Sequence, residues 1–522
     1  MSRLFRILIY ITLSLAAIFI IATVAINYIL KNKLENFIET RLPENIVQSY
    51  DDLNVQSLAG SIVISNVMVI IKNKSDSLKH ISIRVEKLNI SEIHYWDYLV
   101  NNQIHIGTIR MENPKIVYFK YKLKRTEDTV RKPLLKLYKP VLIDKVEINH
   151  TSLAIYEKAQ DSTVLFAKNL SVEVNNIKLD NAILRQRLPL QFKEYSAKSD
   201  SIFVKLSPYE NLTVKQFKIE NKSAIFNSLK LKTKYSRSRL SQIINKERDH
   251  YDLTVDELSV NDIDFGFNAK DVFFGKSKLI TISSPSLNIF RDKLVADDPT
   301  IKPLYSKMLR DLPFELTVDS LEISNGYIKY SEKVKAENTG GSINFSELNA
   351  RISNLSNTYK SPVKTEIAID SHFMEKTPFT VEWDFDVQNP HDKFIFKADM
   401  GPLNAEKMNR FTQPNLRVKL EGLTSKTYFT IDGNNDASTT DMKISFSDFK
   451  VTVLNKDGKN KNPILSTIAN IFISKDSENK NDYFREGTAG ASRDKSNSYF
   501  NFLWISIKNA LTKSMTGRNK KD

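Results

Sequence analysis

Apolar residues recur along this chain at a fixed spacing, i, i+2, i+7 and i+9, in at least eight copies. They are Ile62, Ile64, Val69, Ile71; Ile109, Met111, Ile116, Tyr118; Val146, Ile148, Leu153, Ile155; Leu170, Val172, Ile177, Leu179; Leu258, Val260, Phe265, Phe267; Ile280, Ile282, Leu287, Ile289; Leu321, Ile323, Ile328, Tyr330; and Ile444, Phe446, Val451, Val453. A step of two is that of a strand, whose side chains alternate between faces. The odd step from i+2 to i+7 fits a hairpin in which i faces i+9, leaving i+4 and i+5 as a two-residue turn. Those positions read Asn66-Val67, Asn113-Pro114, His150-Thr151, Val174-Asn175, Asp262-Ile263, Ser284-Pro285, Asn325-Gly326 and Asp448-Phe449, nearly all with a turn-former. Each such unit has one apolar and one polar face, and it buries the apolar side only by stacking into a sheet, curling or pairing. Four segments carry helical spacing instead: Arg131–Tyr138, Arg237–Lys246, Lys302–Asp311 and Leu403–Phe411. RKPLLKLYKPVLIDKVEI from Arg131 and IKPLYSKMLRDLPFELTVDSLEI from Ile301 share one order of basic residue, proline, helix, proline and hairpin, a long-range internal repeat.

The N-terminus breaks this pattern. Ile7 to Leu30 is free of charge, and as a helix rising about 1.5 Å per residue it exceeds the hydrocarbon core of a bilayer. Ile7, Leu8, Ile11, Leu15, Ile18, Ile21, Val24 and Leu30 are its membrane-anchor residues. A cleaved signal peptide has a shorter apolar region, about 7–15 residues, and a better small-residue site than Thr23-Val24-Ala25. Arg3 and Arg6 precede the run, which favours a cytoplasmic N-terminus. The helix continues through Lys31 to Thr40 and stops at Pro43.

Composition narrows the class further. The 522 residues carry a net charge of +15 and include 14 glycines, 16 prolines and no cysteine, which excludes collagen-like chains, disulfide scaffolds and thiolate metal sites. The charge accompanies a Lys-, Asn- and Ile-rich composition, and no nucleic-acid partner is expected. Chemistry is sparse. His80, His94, His105, His150, His250, His372 and His391 stand singly in the sequence, so no metal ligation is expected of them. Asp432-Gly433-Asn434-Asn435-Asp436 starts like a calcium loop, but Ala437 and Lys443 stand where Gly and Glu are needed, so it reads as a turn. No catalytic residue and no cofactor is expected, and the chain does not read as an enzyme.

Near the C-terminus, Lys475 to Ser498 is polar and reads as a mobile linker (475–498). Residues 499–522 then form an amphipathic helix with apolar face Leu503, Trp504, Ile507 and Leu511 and a basic tail. That helix either binds a membrane surface or caps an apolar groove.

SYDDLNVQSLAGSIVISNVMV (Ser49 to Val69), EIHYWDYLVNNQIHIGTIRMENPKIVYF (Glu92 to Phe119), DSLEISNGYIKYSE (Asp319 to Glu332), the segment Asp399 to Leu454 and NFLWISIKNALTK (Asn501 to Lys513), behind an N-terminal anchor, resemble the AsmA-like family of Gram-negative envelope proteins. The resemblance implies a mostly β fold: an elongated, taco-like repeating β-groove with short helical inserts. The anchor would be residues 1–31 and the groove domain residues 32–474. It further implies a single-pass protein of the bacterial inner membrane with its bulk in the periplasm, shielding phospholipid acyl chains during transport towards the outer membrane or outer-membrane biogenesis. Ile109, Met111, Val146, Ile148, Leu153, Ile155, Leu258, Val260, Phe265, Phe267, Leu321, Ile323, Ile328, Tyr330, Ile444 and Phe446 would line the lipid groove. The partners would be phospholipid, the bilayer and an outer-membrane or envelope protein. The alternative is a non-catalytic envelope scaffold that binds proteins through its sheet.

Overall fold

The computed structural model describes residues 3–40, 42–73, 78–120, 137–157, 162–455, 474–477 and 483–516, with side chains from Tyr10 onwards. The fold is mostly β: one large mixed sheet, a few short helices, and one long apolar helix at the N-terminus. The chain divides into two compact units, residues 1–206 with 213–221, and residues 207–212 with 222–522.

The first unit opens with a continuous helix, Arg3–Thr40, whose stretch from Tyr10 is long and apolar enough to cross a membrane. Ile11, Leu15, Ile18, Ile21 and Val24 project freely from it. Ile7 and Leu8 are helical in backbone only, their side chains lying outside the described set. Leu30, expected among the anchor residues, instead joins Leu34 and Ile38 in packing on Leu53, Val55 and Ile64 of the first strands.

The repeated spacing does not make hairpins. In seven of the eight copies the i+4 residue takes a left-handed conformation: Asn66, Asn113, His150, Asp262, Ser284, Asn325 and Asp448 have φ between 47° and 57°. In the copy that starts at Leu170 that residue is Asn176, with φ 56°. The chain then continues along the same neighbouring strand. Strands Ile104–Glu112 and Lys115–Phe119, separated by Asn113-Pro114, both pair with Val141–Tyr156, and the break is bridged by Asn113 N–H to Asn149 O (3.0 Å) and Ser152 N–H to Pro114 O (2.9 Å). Phe273–Ser283 and Ser286–Asp292 flank Ser284-Pro285 in the same way and both pair with Glu315–Lys333. One bulge-type residue shifts side-chain parity by one, so it restores i+7 and i+9 to the face of i and i+2 as well as a turn would. Asn, Asp, Ser and His tolerate φ > 0 far better than β-branched residues do, which is why they occupy these sites.

The bends line up across strands as a crease. In the first unit it runs through Asp51, Asn66, Glu86, Asn113, His150, Asn169 and Asp200, tied by side-chain hydrogen bonds. Asn66 Nδ2 donates to Asp51 Oδ2 (2.6 Å), Asn113 Nδ2 to Glu86 Oε2 (2.6 Å), His150 Nδ1 to Asn169 Oδ1 (2.7 Å) and Asn169 Nδ2 to Asp200 Oδ2 (2.9 Å). In the second unit Ser228, Ser284, Asn325 and Glu347 form the equivalent line.

The long-range repeat is visible in the pairing. Val141–Tyr156 and Glu315–Lys333 each pair in parallel with the broken strand that precedes them, a step that needs a long connection. In the second repeat that connection carries helix Tyr305–Arg310. In the first, most of the expected helix Arg131–Tyr138 lies outside the described residues. The other inserts form helix Arg237–Ile243, a turn of 3₁₀ helix at Ala405–Met408 and helix Asn409–Leu416.

The stretch expected as a mobile linker contains a strand, Arg485–Ser492, paired with Ala437–Val453. Its small residues are what the packing needs: a Cβ at Gly487 would stand 2.5 Å from Ser514 Oγ of the closing helix Tyr499–Thr516.

Candidate functional site

Register carries the apolar residues of each strand into rows across the sheet. In the first unit, Val55, Ile62, Ile90, Ile109, Val146 and Val174 are successive partners, and so are Leu53, Ile64, Leu88, Met111, Ile148 and Val172. Beyond the crease run Val69, Ile83, Ile116, Leu153 and Ala167, then Ile71, Ile81, Tyr118, Ile155 and Leu165. Leu53, Val55 and Ile64 are buried beneath the end of the N-terminal helix. Ile109, Met111, Val146, Ile148, Leu153 and Ile155, all expected to line a groove, are half-buried.

The second unit repeats the arrangement and then closes it. One row runs Leu258, Ile282, Ile323, Ala350, Ile369, Val381, Ala398, Phe429, Met442; the next runs Val260, Ile280, Leu321, Ile352, Ile367, Trp383, Phe396, Ile431. Leu258, Val260, Leu321, Ile323, Ile328 and Tyr330 are half-buried, whereas Val381, Ala398, Phe429, Ile431 and Met442 are buried under the closing helix. Ile444 and Phe446, expected to line the groove, therefore belong instead to a filled core with Ala405, Val451 and Met515. Phe265 and Phe267 are exposed, 41% and 37%, at the sheet's margin with Phe273. Tyr330 donates its hydroxyl to Glu332 Oε2 (2.6 Å), and burial pushes its phenol well above the ordinary value.

The closing helix presents Tyr499, Phe502, Leu503, Ser506, Ala510, Ser514 and Met515 to this core. Of the expected face, Leu503 is buried, Ile507 and Leu511 pack at the cluster's margin, and Trp504 is exposed. The buried face is rotated towards small residues because the helix lies close against Gly487 and Ser438, whose hydroxyl meets Ser506 Oγ at 2.8 Å. Tyr499 stacks on Trp383 with ring centroids 4.9 Å apart.

Two histidines expected to stand alone do not. His94 donates its backbone N–H to His105 O (3.0 Å) where two neighbouring strands end, and their rings stack at 4.1 Å. His105 Nδ1 lies 2.6 Å from Asp97 Oδ2 and its Nε2 lies 3.0 Å from Asp144 Oδ1. Burial opposes the charge on His105, but the two carboxylates outweigh it and hold the imidazole above its ordinary value. Its hydrogen bond to Asp97 holds that carboxyl below its own. His94, His105 and Asp144 offer three ligand atoms within 4.8 Å. Spacing could not reveal this cluster, because Asp144 arrives through the parallel step. The calcium-like segment does form a turn, with Asn434 Oδ1 accepting the N–H groups of Asp436 (2.8 Å) and Ala437 (3.0 Å).

No family model matches this chain, and no curated protein is significantly similar to it.

Proposed function

We propose that the creased apolar face holds phospholipid acyl chains and shields them from water, while the N-terminal helix anchors the chain in the bacterial inner membrane with its bulk in the periplasm. The observation that supports this reading is the continuity of the rows: Leu258, Ile282, Ile323, Ala350 and Ile369 follow one another through register and remain half-buried. Exposing acyl chain to water costs about 0.8 kcal/mol per CH₂, so a lipid's two chains meet a barrier on the order of tens of kcal/mol that an apolar track removes. Such a track needs no reactive group. The resemblance to the AsmA-like family points the same way, towards lipid transfer between the two envelope membranes.

A photo-crosslinking residue at Ile323 tests it. Glu322, the next residue, pairs with Arg351 and faces the other way. Lipid captured at 323 and not at 322, in protein purified from membranes, is the expected result. Equal capture, or none at 323, would remove the lipid track and leave a protein-binding scaffold.

A further inference from the structure

We propose that the end of the first unit beside Asn27 is a bilayer-docking surface, a short aromatic foot that rests in the headgroup region of the membrane holding the N-terminal helix. The helix sets the level. Its charge-free, mostly apolar stretch from Ile7 to Ile26, up to the first amide at Asn27, spans about 30 Å at 1.5 Å per residue, the thickness of a hydrocarbon core, so Asn27 and Tyr28 fall at the water interface. Asn27 Oδ1 accepts a hydrogen bond from Ser57 N–H (2.8 Å), and Ser57 O accepts one from the Tyr95 hydroxyl (2.8 Å). Helix Tyr95–Leu99 is thereby fixed two hydrogen bonds away from the point where the N-terminal helix leaves the hydrocarbon.

Chain direction agrees. Lys31 meets Asp52 (3.6 Å) and Gln48 Nε2 reaches Ile38 O (3.2 Å), so strand Asp52–Gln56 runs towards the membrane and its following turn, Ser57–Gly60, faces it. The turn and helix expose Leu58 (68%), Trp96 (71%), Leu99 (76%) and Val100 (57%), and Tyr138 beside them is 83% exposed. Single exposed apolar residues are ordinary, but this many on one short helix and the loops next to it mark an interaction surface. Trp and Tyr are the residues that favour a headgroup layer. Lys139 adds a cation, donating to Tyr98 O (2.8 Å) and lying 3.6 Å from the Tyr98 ring centroid. The occupant is a lipid bilayer because the surface continues the interface the helix already makes. This inference rests on the anchoring part of the function proposed above and is independent of whether the apolar rows carry lipid.

The chain has no cysteine, so a single nitroxide can be placed without background. Full-length protein bearing spin-labelled Leu99→Cys is reconstituted into phosphatidylcholine–phosphatidylglycerol vesicles and compared with Leu78→Cys, an exposed position at the far end of the strands. We expect the label at 99 to collide freely with oxygen and poorly with a water-soluble nickel complex, and the label at 78 to do the opposite. Nickel access at 99 equal to that at 78 would overturn the foot while leaving the anchor intact. Protection of 99 from both reagents would overturn it in favour of protein contact between copies. Flotation with the vesicles reports the anchor separately, and its failure for both labels would overturn anchor and foot together without touching the crosslinking result at Ile323.

Discussion

Truncating Phe502 to Ala should be among the most damaging single changes in the second unit. Its ring is 2% exposed, meets Phe394 edge-on at 6.2 Å, and lies in the cluster formed by Val381, Phe396, Phe429 and Ile431. Removing a buried phenylalanine side chain costs about 3–5 kcal/mol, the transfer term plus the cavity left behind. Phe500, two residues earlier on the same helix, is 62% exposed, and Phe500→Ala should stay within about 0.5 kcal/mol. Trp383 reports the contact directly because Tyr499 of that helix stacks on it. Replacing the exposed Trp96 and Trp504 with Phe leaves Trp383 as the only indole. With a urea slope of about 2–3 kcal/mol per molar, the Trp383 transition of Phe502→Ala should fall by roughly 1–2.5 M relative to Phe500→Ala. Coincident midpoints for the two variants would refute the docked helix. The membrane-binding alternative makes the reverse prediction, that Phe500 and Trp504 govern vesicle association and Phe502 governs nothing.

Two further outcomes test the crease and the histidine cluster. At Asn325, Gly should be tolerated within a few tenths of a kcal/mol, whereas the β-branched Val should cost about 1–2 kcal/mol in urea unfolding, because the position requires a left-handed backbone; an equal effect of both would refute the backbone argument. His105 is held above its ordinary value, so its ion pairs should stabilise the first unit fully below about pH 6.5 and lose that contribution as pH rises through the raised value. Asp97 is shifted down, so its share is lost only as strong acid protonates it. Thermal unfolding of wild type and His105→Gln should therefore differ at pH 6 and converge at alkaline pH, and a gap that stays constant would refute the assignment.

The mostly β character, the short helical inserts and the N-terminal apolar helix were all legible from local periodicity. The meaning of the odd step was not. Asn113 or Asn325 would be equally suited to a two-residue turn or to a bend within one strand, since both need φ > 0 and both shift side-chain parity. What separates them is whether the following residues pair backwards or onwards, and that depends on partners such as Asn149 and Ser152 far along the chain. Arg485–Ser492 reads as linker because the stretch is polar and contains Gly487 and Gly490, yet Gly487 is there for its smallness, which admits the closing helix. Ile444 and Phe446 fit the repeated spacing perfectly, yet what lies over them is a helix some sixty residues later, which no strand pattern encodes.

The two parallel steps bear on how a protein of this kind changes length in evolution. Each strand contacts mainly its lateral neighbours, and each parallel step recurs with its own broken strand and connecting segment, so a duplicated block can be inserted at a strand boundary without rebuilding the others. Every added strand widens the sheet by about 4.7–4.9 Å and leaves the creased profile as it was. Span thus becomes a quantity that gene duplication can tune in whole increments, as a ladder is lengthened by rungs, while the end pieces stay fixed.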